Sequence, residues 1–390
     1  MEITRLFSPP KQSFFLFGPR GTGKTMWTKK VFPKAQRVNL LAMETLRSLS
    51  ARPERLKDFV MPLAPGTTVV IDEVQKVPDL LSVVHDLMEE KRGWQFILTG
   101  SSARKLKREG VDLLAGRALT RSMHPFMAVE LGDQFSLERA LEQGLLPVVW
   151  SSESPAEALK SYIGTYVREE VQAEGLVRNL GNFHRFLEAI SFSQASVLNV
   201  SNVARECEVE RKTVVGFADL LEDLLLSVRL PVFTRRAKRK LADHPKFYFC
   251  DAGIFRSIRP QGPLDAGGDV TGAALEGLVF QHLRAWNAYG GDDHSLYYWR
   301  TVAGVEVDFV IYGPRGLWAV EVKNTVRVRP QDLRALKTFK EDFPEAKVFL
   351  LYRGKDRLEM SGILCLPVEQ FLRALTPGRP LDALSGGVPN

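Results

Sequence analysis

The stretch SFFLFGPRGTGKTMWTKKVF, residues 13–32, is the most informative about the fold of the first part of this chain. An apolar run, Phe14 to Phe17, leads at once into GPRGTGKT, Gly18 to Thr25, and then into a helix-like pattern. Glycines let the backbone wrap tightly with its N–H groups pointing inward, and the following helix adds the positive end of its dipole. The stretch therefore predicts a strand, a phosphate-binding loop and a helix, which together begin a P-loop core with a parallel sheet.

The loop residues have expected roles in nucleotide binding. Lys24 would hold the β- and γ-phosphates, and Thr25 would ligate Mg²⁺. The expected cofactors are therefore ATP and Mg²⁺. The loop as a whole would surround the phosphates with Gly18, Pro19, Arg20, Gly21, Thr22, Gly23, Lys24 and Thr25.

A second apolar run, TTVVIDEV at residues 67–74, ends in two acids. Asp72 would hold the metal with its water shell, and Glu73 would polarise the attacking water. A strand that happens to end in two solvated acids is the alternative interpretation.

A third run, WQFILTGSS at residues 94–102, places Thr99, Ser101 and Ser102 beyond the end of a strand. A hydroxyl at this place can sense the γ-phosphate. A helix N-cap is the alternative role for these residues.

An arginine follows in DLLAGRALTRSMHPFMAVEL, residues 112–131. Arg117 is a candidate to stabilise the charge that is transferred in phosphoryl chemistry, within one subunit or across a subunit interface. A solvated arginine is the alternative, because most arginines are exposed.

These segments carry a resemblance to a known family. GPRGTGKT, VVIDEVQKVPDLL, FILTGSSARKL and LLAGRA, in this order, resemble the predicted AAA+-type ATPases of bacteria and archaea that are fused to domain of unknown function 4143. The resemblance continues through YFCDAGI, LEGLVF and VEVDFVI, and covers nearly the whole chain. It implies a P-loop ATPase whose Arg117 has a role at the nucleotide or at a homo-oligomer interface, and it leaves the biological job open.

The middle of the chain predicts two further modules. From Gln134 to about Ala189 apolar residues recur at three- and four-residue spacings, which predicts a helical lid or connector. Residues 196–251 then predict a short helix Val200 to Cys207, a turn, a longer helix Arg211 to Leu225, and two strands that flank a basic loop. This order is typical of a winged helix.

A winged helix here would present cations to DNA phosphates from its recognition helix and its wing. A protein–protein adapter with a solvated basic face is the alternative. The net charge of +7 and the isoelectric point near 9.2 favour an anionic partner without requiring one. The candidate DNA-binding residues are Arg211, Lys212, Thr213, Arg235, Arg236, Lys238, Arg239 and Lys240.

From Lys246 onward the chain predicts a helix followed by an antiparallel meander, the core of a restriction-endonuclease-like α/β domain. Asp308 and Glu321 would project from the same side of two paired strands, and Lys323 would share the face of Glu321 because strand side chains alternate. Two carboxylates can bind Mg²⁺, and a lysine can position or activate water at a phosphate.

The same residues resemble the motif of the PD-(D/E)xK nucleases, with Asp308 and Glu321-Val322-Lys323 in the motif and Glu276 as its helix acid. The resemblance implies metal-dependent phosphodiester cleavage, with Glu276 as a third metal ligand. This fold also serves as an inert nucleic-acid-binding scaffold, so cleavage and binding without cleavage both stay open.

Three cysteines, Cys207, Cys250 and Cys365, are far apart and form no C-x-x-C pair, so we expect them to be buried in a cytosolic protein. The N-terminal residues lack a long apolar segment, and no later stretch holds the ~20 apolar residues of a membrane span. We therefore expect a cytoplasmic protein that does not bind membranes.

The sequence thus predicts five regions in an α/β protein: the ATPase core (1–133), the helical lid (134–189), the winged-helix-like domain (190–245), the nuclease-like domain (246–376) and a flexible tail (377–390). The expected function is Mg²⁺-dependent ATP hydrolysis acting on DNA, with cleavage by the C-terminal module as one hypothesis. The alternative is an ATP-dependent switch or regulator whose C-terminal module binds DNA or protein without cleaving. The candidate catalytic residues are Lys24, Asp72, Glu73, Arg117, Asp308, Glu321 and Lys323; the candidate metal ligands are Thr25, Asp72, Glu276, Asp308 and Glu321.

Overall fold

The computed structural model of the chain describes residues 3–101, 114–167, 171, 179–236, 239–262 and 267–384. They belong to two compact units. The N-terminal unit comprises Phe7–His124 and Asp223–Leu225, and the C-terminal unit comprises Met1–Leu6, Pro125–Glu222 and Leu226–Asn390. Within the described ranges, none of the helices combines the length and the apolar character needed to cross a bilayer. All three cysteines are buried, as predicted.

The N-terminal unit is built on a five-stranded sheet with the order β2-β3-β4-β1-β5. Every neighbouring pair in this sheet is parallel, which confirms the predicted α/β class with a parallel sheet. Because the strands are parallel, their carboxyl ends meet at one edge. The strands are β1 (Phe14–Phe17), β2 (Gln36–Asn39), β3 (Thr68–Asp72), β4 (Gln95–Gly100) and β5 (Leu119–Ser122).

Helices cover this sheet, so its central strands are nearly continuous apolar runs with no polar face. Phe15, Ile71 and Leu98 are fully buried, as are Leu81 and Val84 on the helix that follows β3. Each such side chain stabilises the fold by about 1.5–3 kcal/mol relative to exposure. The helices are α1 (Lys24–Val31), α2 (Met43–Ala51), α3 (Leu56–Val60) and α4 (Leu80–Glu89), with 3-10 turns at Pro53–Arg55, Val74–Lys76 and Leu114–Gly116.

The first part of the C-terminal unit is helical, in line with the three- and four-residue spacing of its apolar residues. Ser136 and Asn179 begin two of its helices, because each side chain accepts a hydrogen bond from the backbone N–H three residues later. The helices are α5 (Ala128–Leu131), α6 (Leu137–Gln143), α7 (Pro147–Trp150), α8 (Pro155–Ser161) and α9 (Leu180–Ser191), with a 3-10 turn at Gly132–Gln134 and a π-helical segment at Tyr162–Val167.

Two helices and a small antiparallel sheet follow. The sheet has the order β6-β8-β7. The basic loop after β7 does not project as a free wing: the backbone N–H groups of Phe233 and Ala242 donate to the carbonyls of Tyr298 and Arg300, on the edge strand of a second sheet. The elements are α10 (Val200–Glu206), α11 (Arg211–Asp223), β6 (Ser196–Val197), β7 (Ser227–Leu230) and β8 (Lys246–Phe249).

The second sheet has six strands in the order β13-β14-β12-β11-β10-β9. Its β9, β10 and β11 form an antiparallel meander, whereas β11, β12 and β14 are parallel to one another. The strands are β9 (Ser295–Arg300), β10 (Glu306–Gly313), β11 (Gly316–Lys323), β12 (Lys347–Tyr352), β13 (Leu358–Met360) and β14 (Ile363–Pro367); the helices are α12 (Ala252–Ile258), α13 (Gly267–Gly290), α14 (Arg334–Asp342) and α15 (Val368–Ala374), with 3-10 turns at Pro330–Leu333 and Leu381–Leu384.

A β-bulge in β10 falls at Asp308. Val307 pairs with Trp299 and Val310 pairs with Tyr297, so two residues of β10, Asp308 and Phe309, lie opposite one residue of β9. A bulge redirects side chains locally and often lies beside a functional site. It lets Val307 and Val310 both join the apolar core beneath the sheet, while Asp308 is directed to other partners.

Candidate functional site

The phosphate loop between β1 and α1 has the backbone that its glycines allow. Gly21 and Gly23 have φ angles of 81° and 88°, in the left-handed region where other residues are strained. A Cβ on Gly18 would lie 2.4 Å from the carbonyl oxygen of Met123, so a side chain does not fit there. The glycines therefore let the loop backbone turn tightly, and no Cβ at these positions would stand between its N–H groups and a phosphate chain.

The side chain of Lys24 is folded into this loop. Its ammonium donates to the carbonyl oxygens of Gly18 at 2.7 Å and Pro19 at 3.2 Å, and the residue is buried. Thr22 braces the same turn, because its hydroxyl donates to the Pro19 carbonyl at 2.8 Å. The cation is thus already positioned where a phosphate would lie, while Arg20 is exposed at the tip of the loop.

Asp72, at the end of β3, lies between two threonines. The Thr25 hydroxyl donates to its Oδ2 at 2.8 Å, and the Thr99 hydroxyl at the end of β4 donates to its Oδ1. Asp72 and Thr99 are buried. A carboxylate and a hydroxyl beside a phosphate loop are the hard oxygen donors that Mg²⁺ prefers, so these residues fit a magnesium-bound nucleotide.

Glu73 lies beside this carboxylate with a φ of 62°, a left-handed backbone that is uncommon for glutamate. Its Oε2 accepts a hydrogen bond from the Gln75 amide at 2.5 Å, and the same amide donates to the Ser101 hydroxyl at 3.0 Å. Gln75 thus joins the predicted base to the predicted phosphate sensor. Gln75 was not among the predicted site residues, although its position two residues after Glu73 was a usable signal. Ser102 lies outside the described residues.

Arg117 lies at the opposite edge of the same sheet. It lies two residues before β5 and lines a cavity with Ser13 and Trp94, which precede β1 and β4. Its guanidinium pairs with Glu89 at 2.7 Å, and both side chains are partly exposed. A four-residue strand spans roughly 13 Å, so Arg117 does not reach the phosphate loop of its own chain.

The candidate DNA-binding residues fall into two groups. Arg211 and Lys212 are exposed in the first turn of α11, with Thr213 beside them. In the basic loop, Arg239 pairs with Asp342 at 2.9 Å and with Glu341 at 3.0 Å.

The other described cations of the loop are exposed, and they differ in their contacts. The guanidinium carbon of Arg235 lies 4.8 Å from the centre of the Tyr312 ring. Arg236 and Lys240 are exposed as well. Lys238 lies outside the described residues.

The predicted nuclease residues lie together in the C-terminal unit. Phe309 pairs with Val320, which places Asp308 and Glu321 at neighbouring positions of β10 and β11. Asp308 accepts a hydrogen bond from the backbone N–H of Val322 at 2.8 Å. The Lys323 ammonium pairs with Glu321 Oε1. Both acids are buried, and Glu321 Oε2 has no hydrogen-bond partner among the described residues.

A lysine that the sequence analysis missed lies among these acids. The Lys246 ammonium contacts Glu276 at 2.8 Å, Glu306 at 2.6 Å and Asp308 at 3.1 Å, and the residue is only 1% exposed. The Tyr248 hydroxyl donates to the same oxygen of Glu276 at 2.6 Å. The available signal was a charged residue at the start of the apolar run KFYF.

The protonation of this cluster reflects burial and mutual charge. Burial, reinforced by the charge of Asp308, raises the pKa of Glu276 to about 7 and that of Glu321 to about 8. Burial alone would lower the pKa of Lys246, but the charges of Glu276 and its neighbours outweigh it and raise that pKa well above the ordinary value. The ammonium therefore stays charged at neutral pH.

Two of the predicted metal ligands, Glu276 and Asp308, contact a lysine ammonium. Across the described ranges, no three side chains of His, Cys, Asp or Glu converge in an arrangement that could hold a metal ion. The physical reason is that carboxylate oxygens of Glu276, Glu306 and Asp308 are directed at the Lys246 ammonium.

Comparisons with known proteins divide the chain in three. Family models match an AAA domain at residues 10–132, domain of unknown function 8612 at residues 134–265 and domain of unknown function 4143 at residues 271–371. No curated protein matches the chain.

Among solved structures, the chain is similar to protein VC1899 from Vibrio cholerae, with 12% identity over 93% of this chain and 96% of that one. The TM-score of 0.22 is too low to support an argument about the fold. The family models confirm the predicted fusion: this chain carries an AAA domain at its N-terminal end and a domain of unknown function 4143 at its C-terminal end.

Proposed function

We propose that the N-terminal unit binds ATP with Mg²⁺ and hydrolyses it. The observation that carries this proposal is the Asp72 carboxylate, fixed by Thr25 and Thr99 directly beside the phosphate loop. Thr25 and Asp72 would hold Mg²⁺, which when bound supplies charge compensation for the phosphates. The AAA domain matched at residues 10–132 supports the same assignment.

The residues of the loop would bind the phosphates, and those at the two strand ends would act on the metal and on the attacking water. Lys24 balances charge on the β- and γ-phosphates, and the backbone N–H groups of the glycine-rich loop surround them. Glu73 orients the attacking water and polarises it as a general base. Its hydrogen bond to Gln75 keeps the carboxylate in one direction, so the base is positioned before substrate binds.

Steady-state ATP hydrolysis by the purified chain tests this proposal. Lys24→Ala is expected to lower the rate by about 100-fold or more, because it removes the cation inside the loop. Lys29→Ala is the matched control, since Lys29 is exposed on the same helix. Equal rates for the wild type and Lys24→Ala would contradict the proposal that this loop binds the phosphates of ATP.

We further propose that Arg117 acts on the nucleotide of a neighbouring subunit in a homo-oligomer. Its place at the edge of the sheet opposite the phosphate loop supports action between chains rather than within one. An arginine delivered in this way stabilises the charge of the transferred phosphoryl group. The ion pair with Glu89 would hold the guanidinium at the surface until a second chain binds.

For the C-terminal unit we propose nucleic-acid binding that responds to ATP turnover. The order α10, turn, α11, β7 and β8 supports a winged-helix interpretation, and the helix α13 followed by the β9–β11 meander supports a restriction-endonuclease-like one. Both are compatible with DNA as the partner, and the exposed cations of α11 and of the basic loop would contact its phosphates.

Cleavage of DNA is the second candidate, because Asp308, Glu321 and Lys323 lie close together beside the helix acid Glu276. The ion pairs of Lys246 favour the alternative, an ATP-dependent switch that binds without cutting. On this account the cytoplasmic chain uses ATP to change the affinity of its C-terminal unit for DNA.

Binding and cleavage of single-stranded, duplex and branched DNA with Mg²⁺ or Mn²⁺ separate these candidates. We expect the chain to bind DNA without cutting it. Arg236→Ala should weaken this binding and lower the slope of its salt dependence by about one counterion. Lys160→Ala is the control, because Lys160 is exposed on α8 and belongs to neither group of candidate DNA-binding cations. Cleavage by the wild type that is lost in Lys323→Ala would show that the C-terminal unit is a nuclease. If the chain binds no DNA, the DNA proposal fails and a protein partner becomes the better candidate.

A further inference from the structure

Lys246 has the surroundings of a bound cation rather than of a surface lysine. Three carboxylates from two elements contact its ammonium within 3.1 Å. The centre of the Tyr298 ring lies 5.7 Å from the same nitrogen. Ion pairs this deeply buried are costly to form and costly to break, because a lost partner leaves uncompensated charge in a medium of low polarity.

The cation and its ligands come from different parts of the chain. Lys246 and Tyr248 lie on β8, within residues matched by the model of domain of unknown function 8612. Glu276, Glu306 and Asp308 lie within residues matched by domain of unknown function 4143. The strand β8 therefore supplies the positive charge that compensates the buried carboxylates of the following domain.

Two further cations pair with acids of the cluster. Lys323 binds Glu321, and Arg300 binds the second oxygen of Glu306 at 3.0 Å. A divalent metal ion that binds these acids directly would lie about 2.0–2.6 Å from one or more of their carboxylate oxygens. Such an ion would have to displace the ammonium or lie within a few ångströms of it, and like charges at that separation repel strongly.

We propose that Lys246 is the resident cation of this cluster and closes it to divalent metal ions. The C-terminal unit then keeps the acids and the lysine of a nuclease-like motif as an internal ion-pair network that joins β8 to α13 and β10. This inference is independent of the ATPase proposal, because every residue in it belongs to the C-terminal unit.

Mn²⁺ titration of the nucleotide-free chain, followed by the electron paramagnetic resonance signal of free Mn²⁺, gives the first test. Wild type and Asp308→Asn are expected to give the same binding curve. A Mn²⁺ ion that the wild type binds and Asp308→Asn loses would overturn the proposal. This comparison does not depend on any change at Lys246.

The second test uses Lys246→Met, which keeps an unbranched side chain one atom shorter than lysine and removes its charge. This variant is expected to bind one more Mn²⁺ per chain than the wild type, and to melt at a higher temperature with Mn²⁺ than without it. Asp308→Asn in the same variant should abolish both effects. Lys240→Met, a change at an exposed lysine, is the control. A folded Lys246→Met chain without the additional Mn²⁺ would contradict the proposal.

Discussion

Thr25 donates its hydroxyl hydrogen to Oδ2 of Asp72 at 2.8 Å, across 47 residues of sequence. Thr99 donates to the other oxygen from the neighbouring strand, so both oxygens of the carboxylate have fixed directions. The start of α1 and the ends of β3 and β4 therefore meet at one carboxylate. Loss of a residue that orients a metal ligand typically lowers metal affinity or activity by about 10–100-fold.

Replacing Thr99 by valine keeps the shape of the side chain and removes its hydrogen bond to Asp72. We expect the Mg²⁺ concentration for half-maximal ATP hydrolysis to rise by about 10–100-fold, the usual effect of losing such an orienting contact. Magnesium titration of the ATPase rate measures this shift. Thr120→Val, on an exposed position of β5, should leave the titration unchanged; a shift of equal size there would make the Thr99 effect non-specific.

Gln75→Ala should slow hydrolysis with little effect on nucleotide affinity, because it frees the Glu73 carboxylate without touching the loop. We expect a fall of about tenfold in kcat, or about 1.4 kcal/mol in the barrier. Gly100→Ala should have the same effect, since its Cβ would lie 2.6 Å from Gln75 Oε1 and displace that side chain. If nucleotide affinity falls in parallel with kcat, Gln75 has a structural role instead.

Arg117→Ala should lose ATPase activity while it keeps an intact phosphate loop. Lys24→Ala should lose activity while it keeps Arg117. Mixing the two variants at a concentration where the chains associate should restore activity that neither shows alone, because one mixed interface combines an intact loop with an intact arginine. A mixture as inactive as its components would contradict action between subunits. Arg47→Ala, at an exposed site, is the matched control.

His282 gives the C-terminal unit a stability that depends on pH. Its Nε2 accepts the backbone N–H of Ala128 at 2.9 Å and its Nδ1 contacts the Leu278 carbonyl at 2.8 Å, which requires the neutral ring. Burial lowers the pKa of His282 to about 4 from its ordinary value of 6.5.

The unfolded chain therefore takes up this proton first as the pH falls, and the contribution that is full above pH 6.5 is lost toward pH 4. The free energy of unfolding should fall by up to about 3 kcal/mol more in the wild type than in His282→Gln over this range. Urea unfolding of both chains at pH 7 and pH 4.5 measures the difference. Parallel pH dependences in the two chains would show that His282 is not the titrating group.

The local parts of the nucleotide site were predictable from the sequence. Phe14–Phe17 was predicted as the first strand and is observed with the same bounds, because the apolar run and the glycine that ends it are adjacent in sequence. The acids at the end of β3 were predictable for the same reason, since the last residues of parallel strands lie at one edge of the sheet.

The surroundings of Lys246 were not predictable in the same way. A lysine beside an aromatic run is ordinarily exposed, and its partners Glu276 and Asp308 lie 30 and 62 residues further along the chain. The bulge at Asp308 is also a tertiary feature, because it depends on how β10 pairs with β9. Interactions between distant elements therefore decide whether a motif of acids and a lysine can hold a metal.

If the N-terminal unit hydrolyses ATP with Glu73 as the general base, the single change Glu73→Gln should separate hydrolysis from nucleotide binding. The amide keeps the shape of the side chain but does not take a proton from water, so the ATPase rate should fall by about 10²–10⁴-fold while a fluorescent ATP analogue binds within about threefold of the wild-type affinity. Glu90→Gln, an exposed change near the end of α4, should have the wild-type rate. An ATPase rate in Glu73→Gln equal to that of the wild type would contradict the account.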